Sequence, residues 1–319
     1  MTTKPEAIGL GPGKPIAAFD VGGTDIKAAL VDAGGTVRGV RRMPTPRDAA
    51  RPAEAVLEAV TAIMAALVEE NPDIRSEAVG LVVPGVVDEQ AGVGIHSENL
   101  GWRDAPFRER GESLLGLPVS VGHDVRAAGE AEKSLGAARP YDDVMVMVIG
   151  TGISAAVFCG GRLHDGGGYA GEIGHLMVEP GGPACACGSA GCLEAVASAA
   201  AIARRYAQLS GIAVEGARQV VARMREGDAT ATRVWHLAVD SLARALAATA
   251  TVLAPEAVVI GGGLSHAGED LFEPLRRRLD ATLTFQRRPA LLPALIGEDA
   301  GLVGAALRAR RGAETGAPR

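Results

Sequence analysis

The chain begins with short apolar runs that are separated by glycine turns. Apolar positions dominate residues 16–19 and 25–32, with Gly22-Gly23-Thr24 after the first run and Gly34-Gly35 after the second. Glycine turns between short apolar runs are typical of β-hairpins. We therefore predict a hairpin that is followed by a third strand at Val37–Arg41.

The same order of elements returns in the middle of the chain. Strand patterns at Asp143–Ile149 and Ile153–Cys159 enclose a second glycine-threonine turn, Gly150-Thr151-Gly152, and Gly160-Gly161 follows. Two such units about half a chain apart indicate a duplicated fold.

Helices and further strands are predicted from apolar spacing and from end signals such as Asp228 and Pro255. Helices are expected at Ala53–Glu70, Val125–Leu135, Ala195–Leu209, Val214–Glu226, Ala229–Leu253, from about Gly268 onward and at Asp299–Arg311. Buried strands are expected at Val79–Val83, Leu117–Val121 and Ala257–Ile260.

Composition narrows the class of protein. The 319 residues suffice for two domains that share a ligand cleft, and 47% hydrophobic with 22% charged residues are typical of a well-packed globular protein. The net charge of −6, without a Lys/Arg-rich run, argues against binding of nucleic acid or anionic membranes. No uninterrupted apolar run reaches the roughly 18 to 20 residues of a membrane span. Residues 1–15 lack the apolar core of a secretion signal, so we expect a cytoplasmic protein.

The first glycine turn is a candidate phosphate site. Glycines let backbone N–H groups approach an anion closely, and the Thr24 hydroxyl adds a donor. Asp20 cannot bind phosphate itself, so its expected role is to hold a phosphate-bound Mg²⁺. An ordinary hairpin turn is the alternative, but the repeated turn at Gly150–Gly152 favours phosphates held by both units. Gly261-Gly262-Gly263, between a strand and a helix, is a third place where backbone can lie against a nucleotide.

Asp124 stands where a predicted strand passes into a predicted helix. The positive helix end and its free N–H groups keep a carboxylate ionised there. Two roles remain open for it: a helix N-cap, or a base that takes a proton from a substrate hydroxyl. The polar loop 96–102, with Asn99 and Trp102, has side chains suited to a hydroxylated ligand, although most such loops are only connections.

Three of the four cysteines lie in one glycine-rich segment, residues 166–194. They follow His175 and are Cys185, Cys187 and Cys192. A Cys₃His set fills all four positions of a structural Zn²⁺. Buried or disulfide-bonded cysteines are the alternative, but a Cys-Ala-Cys pair cannot easily close on itself, and no secretion signal precedes the chain. We therefore predict a structural zinc that holds the loop and the carboxylates it presents, Glu172 and Glu194.

Together these motifs resemble the ROK family of sugar kinases and repressors, above all its bacterial glucokinase branch. The motifs are Asp20-Val-Gly-Gly-Thr24, Asn99-Leu-Gly-Trp102, Asp124, Glu172-Ile-Gly-His175 and Cys185-x-Cys187-Gly-x-x-Gly-Cys192-Leu-Glu194, in order between about Ile16 and Arg310. The resemblance implies an α/β fold of two actin-like, RNase H-like domains with sugar and ATP in the cleft between them. We expect residues 1–123 with 297–319 to form the smaller domain, and residues 124–296 to form the larger domain with the zinc loop.

The resemblance also implies roles for single residues. Asp124 would be the general base and would contact the sugar, whose hydroxyls would also be bound by Asn99, His123, Glu172, His175 and Glu194. His175 would ligate the zinc as well. The ATP phosphates, with Mg²⁺ at Asp20, would be held by Gly22, Gly23, Thr24, Gly150, Thr151 and Gly152. The adenosine would border Gly262 and Gly263.

Two residues depart from the family pattern. His123 precedes the base where Asn is usual, and Arg126 stands two residues after the base, where Asn is common. Neutral His offers one donor and one acceptor in a geometry that differs from that of Asn. We expect the change at His123 to affect sugar specificity more than kinase activity. For Arg126 we expect a solvated or structural role.

The leading hypothesis is ATP-dependent phosphorylation of a hexose at its 6-hydroxyl. Glucose is the first candidate, and N-acetylmannosamine, mannose, allose and fructose are the alternatives. A sugar-responsive repressor is one rival, but family repressors carry a helix-turn-helix region before the first hairpin, where this sequence has about fifteen residues. A non-catalytic sugar-binding protein, suggested by His123, is the other rival. Family members form dimers or tetramers, so a homodimer or homotetramer is expected.

Overall fold

The structure is a computed structural model that describes residues 9–315. Residues 1–8, where the N-terminal lead-in starts, and residues 316–319 lie outside this range. The strands are β1 (Ile16–Val21), β2 (Asp25–Val31), β3 (Val37–Pro44), β4 (Ala78–Val83), β5 (Val86–Asp88), β6 (Val93–His96), β7 (Arg103–Ala105), β8 (Val119–His123), β9 (Val144–Ile149), β10 (Ile153–Cys159), β11 (Arg162–His164), β12 (Ala257–Gly261) and β13 (Ala290–Pro293). The helices are α1 (Pro52–Glu70), α2 (Phe107–Leu115), α3 (Asp124–Leu135), α4 (Leu193–Ala197), α5 (Ala199–Ser210), α6 (Ala217–Arg225), α7 (Ala229–Leu253), α8 (Glu269–Thr282) and α9 (Ala300–Thr315).

The chain divides into two units, each with its own sheet. The first unit consists of the chain up to Ser134, the short segment Asp165–Ala170 and the segment from Asp299 onward. The second comprises Leu135–His164 and Gly171–Glu298. Each unit contains one mixed five-stranded sheet, which confirms the predicted α/β fold with two domains. The domain boundaries given from the sequence stay a prediction.

In the first unit the sheet order is β3-β2-β1-β4-β8. The pairs β3–β2 and β2–β1 are antiparallel, whereas β1–β4 and β4–β8 are parallel. Both faces of this sheet are covered, because Ile16 packs in a cluster with α9 while its neighbour Ala17 packs in another cluster with α1. Helix α9 lies so close to β4 that a Cβ atom on Gly80 would be 2.0 Å from the Ala305 carbonyl oxygen. Small residues therefore set the spacing between α9 and the sheet.

In the second unit the order β11-β10-β9-β12-β13 repeats the same succession of antiparallel and parallel pairs. This agreement supports the duplicated fold expected from the sequence. The larger of its two hydrophobic clusters joins the sheet to α4–α8 and centres on residues of α7 such as Trp235 and Leu242, both at most 1% exposed.

Several predicted elements differ from the structure. The single helix expected over Ala195–Leu209 is wrong, because Ser198 is extended (ψ 158°) and separates α4 from α5. The Ser198 hydroxyl accepts a hydrogen bond from Ala201 N at 3.1 Å, so the break is also the N-cap of α5. Strand β8 starts two residues later than predicted and reaches His123, and thus leads directly into Asp124.

Other elements were not predicted. They are the small sheet β5-β6-β7, helix α2 and the edge strands β11 and β13. All of these strands have only three or four residues, too few to show the alternation of buried and exposed positions that predicts a strand. Among residues 9–315, no helix combines the length and apolar character that a membrane crossing requires.

Candidate functional site

The first glycine turn is held on its carbonyl side by the segment that follows β3. Thr45 donates from Oγ1 to Gly22 O and from its backbone N to Thr24 O, both at 2.8 Å. Arg47 Nη2 donates to Gly23 O at 2.6 Å. Within residues 9–315 the backbone N–H groups of Gly23 and Thr24 make no hydrogen bond, although that of Gly22 bonds to Asp25 O at 2.8 Å. The turn therefore presents N–H groups that can bind an anion.

Asp20 lies one residue before the end of β1, opposite Lys27 of β2. Its carboxylate approaches the first turn of α9, where a Cβ atom on Gly301 would be 2.4 Å from Oδ2. Burial is the main cause that raises the pKa of Asp20 to about 6; the charge of Lys27 opposes it, Asp299 acts in the same direction as burial, and Arg42 opposes it. Lys27 Nζ also lies 3.6 Å from Asp299 Oδ1. Asp20 is thus ionised at neutral pH, as a Mg²⁺ ligand must be.

The Asn99 loop contacts the glycine turn directly. The Asn99 side-chain amide lies against Gly23, where an added Cβ atom would be 2.2 Å from Nδ2 and the amide would have to move. Asn99 is exposed and its carbonyl accepts from Arg47 Nη1 at 2.6 Å. Trp102 belongs instead to the core, because it is 2% exposed and packs edge-on against Phe107 at 5.0 Å between ring centroids.

Asp124 is the first residue of α3, and its Oδ1 accepts from Val125 N at 2.7 Å. His123 Nε2 lies 3.5 Å from the same oxygen. His123 Nδ1 accepts from Arg126 N at 3.2 Å, so the proton of the neutral ring is on Nε2, facing Asp124. Burial first, and then the charge of Arg126, lower the pKa of His123 to about 3. His123 is therefore a neutral donor beside the carboxylate at any pH near neutrality.

A buried ion network holds the junction of β8 and α3 that carries Asp124. Glu89 Oε1 accepts from His123 N at 3.1 Å and from Arg126 Nε at 2.8 Å, and its other oxygen accepts from Arg308. Burial would raise the pKa of Glu89, but the charges of Arg308 and Arg126 together lower it to about 2.

Arg126 resolves one of the alternatives left by the sequence. The residue is 1% exposed, and its guanidinium donates to the carbonyl oxygens of Val87 and Gly168, both at 3.1 Å. A solvated role is therefore wrong, and the structural role is confirmed.

The zinc-loop residues come together in the second unit. One ligand atom each from His175, Cys185, Cys187 and Cys192 lies within 4.8 Å of every other. Cys185 Sγ is 3.7 Å from His175 Nδ1, and the Sγ atoms of Cys187 and Cys192 are 3.7 Å apart. Ligands around a tetrahedral Zn²⁺, at roughly 2.0–2.3 Å from the ion, are about 3.5–3.8 Å from one another. The donor set and its spacing thus suit Zn²⁺.

The two predicted loop carboxylates have different surroundings. Glu172 Oε2 lies 3.8 Å from His175 Nε2, the ring nitrogen that does not face Cys185, and a carboxylate at this place orients a metal-bound histidine. Glu194 Oε2 accepts from Ile153 N at 2.8 Å, and a Cβ atom on Gly152 would lie 2.5 Å from the same oxygen. Glu194 therefore braces the second glycine turn, and its role toward a sugar stays a prediction.

The second glycine turn parallels the first. Gly150 N donates to Gly152 O at 2.9 Å, and Ala199 N donates to Gly150 O at 2.9 Å, while the N–H groups of Thr151 and Gly152 have no acceptor in the described chain. Gly262 approaches the end of β9, where its φ of +78° and a Cβ position 2.5 Å from Ile149 O require glycine. Gly263 follows it as the first residue of a short 3-10 helix, Gly263–Ala267.

Within each unit the expected residues thus form local groups. In the first unit, the turn Gly22–Thr24 and Asn99 are neighbours, and Asp124 pairs with His123. In the second, the zinc ligands, Glu172, Glu194 and the turn Gly150–Gly152 are linked by the contacts above. Sequence reasoning missed Arg47, Glu89 and Arg308, since each is a charged residue without a local motif, and only contacts across the chain reveal its role.

The comparison with family models decides the classification. The model described as the ROK family matches residues 16–311. The chain belongs to the ROK family. The glucokinase of Streptomyces coelicolor is 33% identical to this chain over 314 residues, covering 91% of this chain and 96% of the relative. The N-acetylmannosamine kinase of Escherichia coli is 34% identical over 297 residues, covering 92% and 97%.

A solved ROK structure matches the fold at similar identity. The ROK family glucokinase from Streptomyces griseus, in complex with glucose and AMPPNP, superposes with a TM-score of 0.80 at 32% identity. The match covers 93% of this chain and 100% of that structure. The ROK fold is thus present over nearly the whole chain.

Proposed function

We propose that this ROK protein is an ATP-dependent kinase that phosphorylates a hexose at its 6-hydroxyl, with glucose as the first candidate. The observation that carries the proposal is the near full-length likeness to a glucokinase structure that contains glucose and an ATP analogue. The site chemistry supports it, because one carboxylate at a helix start, two anion-binding turns and an acidic residue for Mg²⁺ are what phosphoryl transfer needs.

In the proposed mechanism Asp124 is the general base. Its carboxylate accepts the proton of the 6-hydroxyl as that oxygen attacks the γ-phosphate in line, and an ordinary carboxylate suffices because the proton moves late. His123 Nε2, which carries the ring proton, lies 3.5 Å from Oδ1 and is proposed to orient the carboxylate. Asn99, His123, Glu172, His175 and Glu194 are proposed to hold sugar hydroxyls.

The glycine turns are proposed to position ATP. The open N–H groups at Gly23, Thr24, Thr151 and Gly152 suit the phosphates, and Gly262 and Gly263 are proposed to border the adenosine. Mg²⁺ bound at Asp20 would neutralise phosphate charge. Zn²⁺ bound by His175, Cys185, Cys187 and Cys192 would hold the loop that carries Glu172 and Glu194 in place.

N-acetylmannosamine is the second candidate substrate. A kinase for that sugar is 34% identical to this chain, as similar as the glucokinases. The 2-position of the sugar distinguishes the two substrates, since one carries a hydroxyl and the other an acetamido group. Mannose, allose and fructose remain further alternatives.

Coupled measurement of ADP release over a panel of these five sugars tests the proposal. We expect turnover with glucose or N-acetylmannosamine at the highest kcat/KM of the panel. The variant Asp124→Asn serves as the control: it should bind sugar but lose at least about 10³-fold in kcat. Sugar binding without turnover on any sugar would favour a non-catalytic protein, and near-normal kcat in the variant would remove Asp124 as the base.

A further inference from the structure

We propose that Arg47 is a positioning residue that clamps the phosphate-binding turn to the sugar-binding loop; this inference rests on the proposed kinase function. Its guanidinium bridges two backbone carbonyls, with Nη2 donating to Gly23 O and Nη1 donating to Asn99 O, both at 2.6 Å. Gly23 belongs to the turn that suits ATP phosphates, and Asn99 belongs to the loop proposed to hold sugar. One side chain thus connects the sites of both substrates.

A second contact shows that the two loops meet where Arg47 binds. The backbone of Gly23 lies so close to the Asn99 amide that an added Cβ atom would be 2.2 Å from Nδ2. The two loops are therefore in contact through the exposed Asn99 side chain. The two hydrogen bonds of Arg47, to Gly23 O and Asn99 O, fix the distance between the turn and the loop next to this contact.

The segment that carries Arg47 is itself anchored on both sides. Thr45 is 5% exposed and bonds to Gly22 O and Thr24 O. Asp48 Oδ1 accepts from Ala50 N at 2.8 Å and from Arg51 N at 3.0 Å, and these bonds lower the pKa of Asp48. The backbone at Arg47 is therefore held in place before substrates bind, although the side chain is exposed.

The chemistry of the clamp requires arginine. A guanidinium is a planar fork that can donate to two acceptors at once with charge-assisted hydrogen bonds. Together with Thr45 it occupies the carbonyls of all three turn residues, Gly22, Gly23 and Thr24. Because a peptide N–H points away from its neighbouring carbonyl, holding the carbonyls on one side keeps the N–H groups directed to the other. Without Arg47 the glycines gain freedom, and both substrates lose positioning.

Steady-state kinetics of Arg47→Ala tests this role, with Arg51→Ala as the matched control. Arg51 is an exposed arginine four residues away that pairs with exposed Glu58 at 3.2 Å. We expect the KM for ATP and the KM for the hexose each to rise about fivefold or more in Arg47→Ala, and kcat to fall about tenfold. Arg51→Ala should keep all three values within about twofold. Arg47→Lys should stay impaired for both substrates, because an ammonium is a point donor without the fork.

The KM values separate positioning from loss of folded protein. A purely structural defect lowers the active fraction, so it reduces kcat and leaves both KM values unchanged. Unchanged KM values in Arg47→Ala, or a rise for one substrate alone, would overturn the clamp. If Arg47→Ala does not fold, Arg47→Lys decides by the same criterion. A wild-type enzyme that turns over no hexose overturns the proposed function, and the clamp with it; an active wild type with an unaffected Arg47→Ala overturns the clamp alone.

Discussion

At the scale of single residues, the pair His123 and Asp124 is where the sequence predicts a departure from the family pattern. The neutral ring accepts a backbone N–H at Nδ1 and offers the Nε2 proton toward Asp124. An asparagine at this place also has one donor and one acceptor group, so His123 can replace it without loss of the polar pattern. The larger ring changes the space beside Asp124, and sugar specificity is where we expect the difference to appear.

The pH dependence of stability tests the state of His123. Its pKa is about 3 in the folded protein and about 6.5 in an unfolded chain, so the unfolded state binds the proton first as the pH falls. Stability is therefore full above pH 6.5 and is lost progressively below it. We predict that wild type loses roughly 2 kcal/mol more than His123→Asn between pH 7.5 and pH 5.

Urea unfolding at the two pH values measures this difference. The pKa of Glu89 is about 2 in the folded protein, so titration of Glu89 changes the stability little above pH 4.5. Asp20 is present in both proteins, so its effect cancels in the comparison. Equal losses in wild type and His123→Asn would show that His123 is protonated in the folded protein at pH 5.

At the scale of elements, the zinc loop combines a short sequence motif with a backbone path that only glycine permits at Gly191. Gly191 has a φ of +74°, and a Cβ atom there would lie 1.8 Å from Glu179 O, while Met177 and Cys192 form an isolated antiparallel bridge. These contacts bring Cys192 back toward His175. The four zinc ligands could be predicted from the sequence because they all lie within eighteen residues of one another along the chain.

We predict that Cys187→Ser lowers bound zinc from one ion per chain to a small fraction and lowers the melting temperature. Loss of one of four ligands weakens binding, and metal binding free energy contributes to folding. Cys159→Ser is the control, since that cysteine is exposed at the end of β10 and outside the cluster. Metal analysis and thermal unfolding provide the measurements. Folded, active wild-type protein without zinc would contradict the prediction.

Two helix boundaries show where local sequence pattern is enough to predict the limits of an element and where it is not. Helix α7 was predicted over its full length, Ala229–Leu253, because its apolar spacing is long and Asp228 is an N-cap that accepts from Thr230 N at 2.8 Å. The break at Ser198 was missed because alanine-rich sequence continues across it and favours helix on both sides. There the hydrogen bond from Ala199 N to Gly150 O, a tertiary contact, competes with helix continuation.

At the scale of the whole molecule, the first unit depends on charges that are far apart in sequence. Glu89, Arg126 and Arg308 come from a turn, from α3 and from α9, and they meet in a largely buried network. Arg308 also bonds to Glu130 of α3. Removing one member leaves buried charges unpaired, which costs far more than an exposed ion pair contributes.

We predict that Glu89→Ala destabilises the first unit by roughly 3–5 kcal/mol, whereas Glu58→Ala changes it by less than about 1 kcal/mol. Glu58 is the control because its ion pair with Arg51 is exposed. The chain has two tryptophans, Trp102 in the first unit and Trp235 in the second, so a Trp235→Phe background lets fluorescence report the first unit alone. Urea midpoints that are equal for the two glutamate variants would contradict the importance of the network.

The sequence alone determined the features that depend on neighbours along the chain. Apolar spacing and glycine turns predicted the two hairpins and most helices, and the motif from His175 to Cys192 predicted the metal ligands. The tertiary structure decided the tautomer of His123, the burial of Arg126, the bracing of Gly152 by Glu194 and the bridge of Arg47 between Gly23 and Asn99. The Arg126, Glu194 and Arg47 contacts join residues about 24 to 52 positions apart, and the ion pair of Glu89 and Arg308 joins residues 219 positions apart. Contacts over such separations follow from the path of the backbone and not from local sequence pattern.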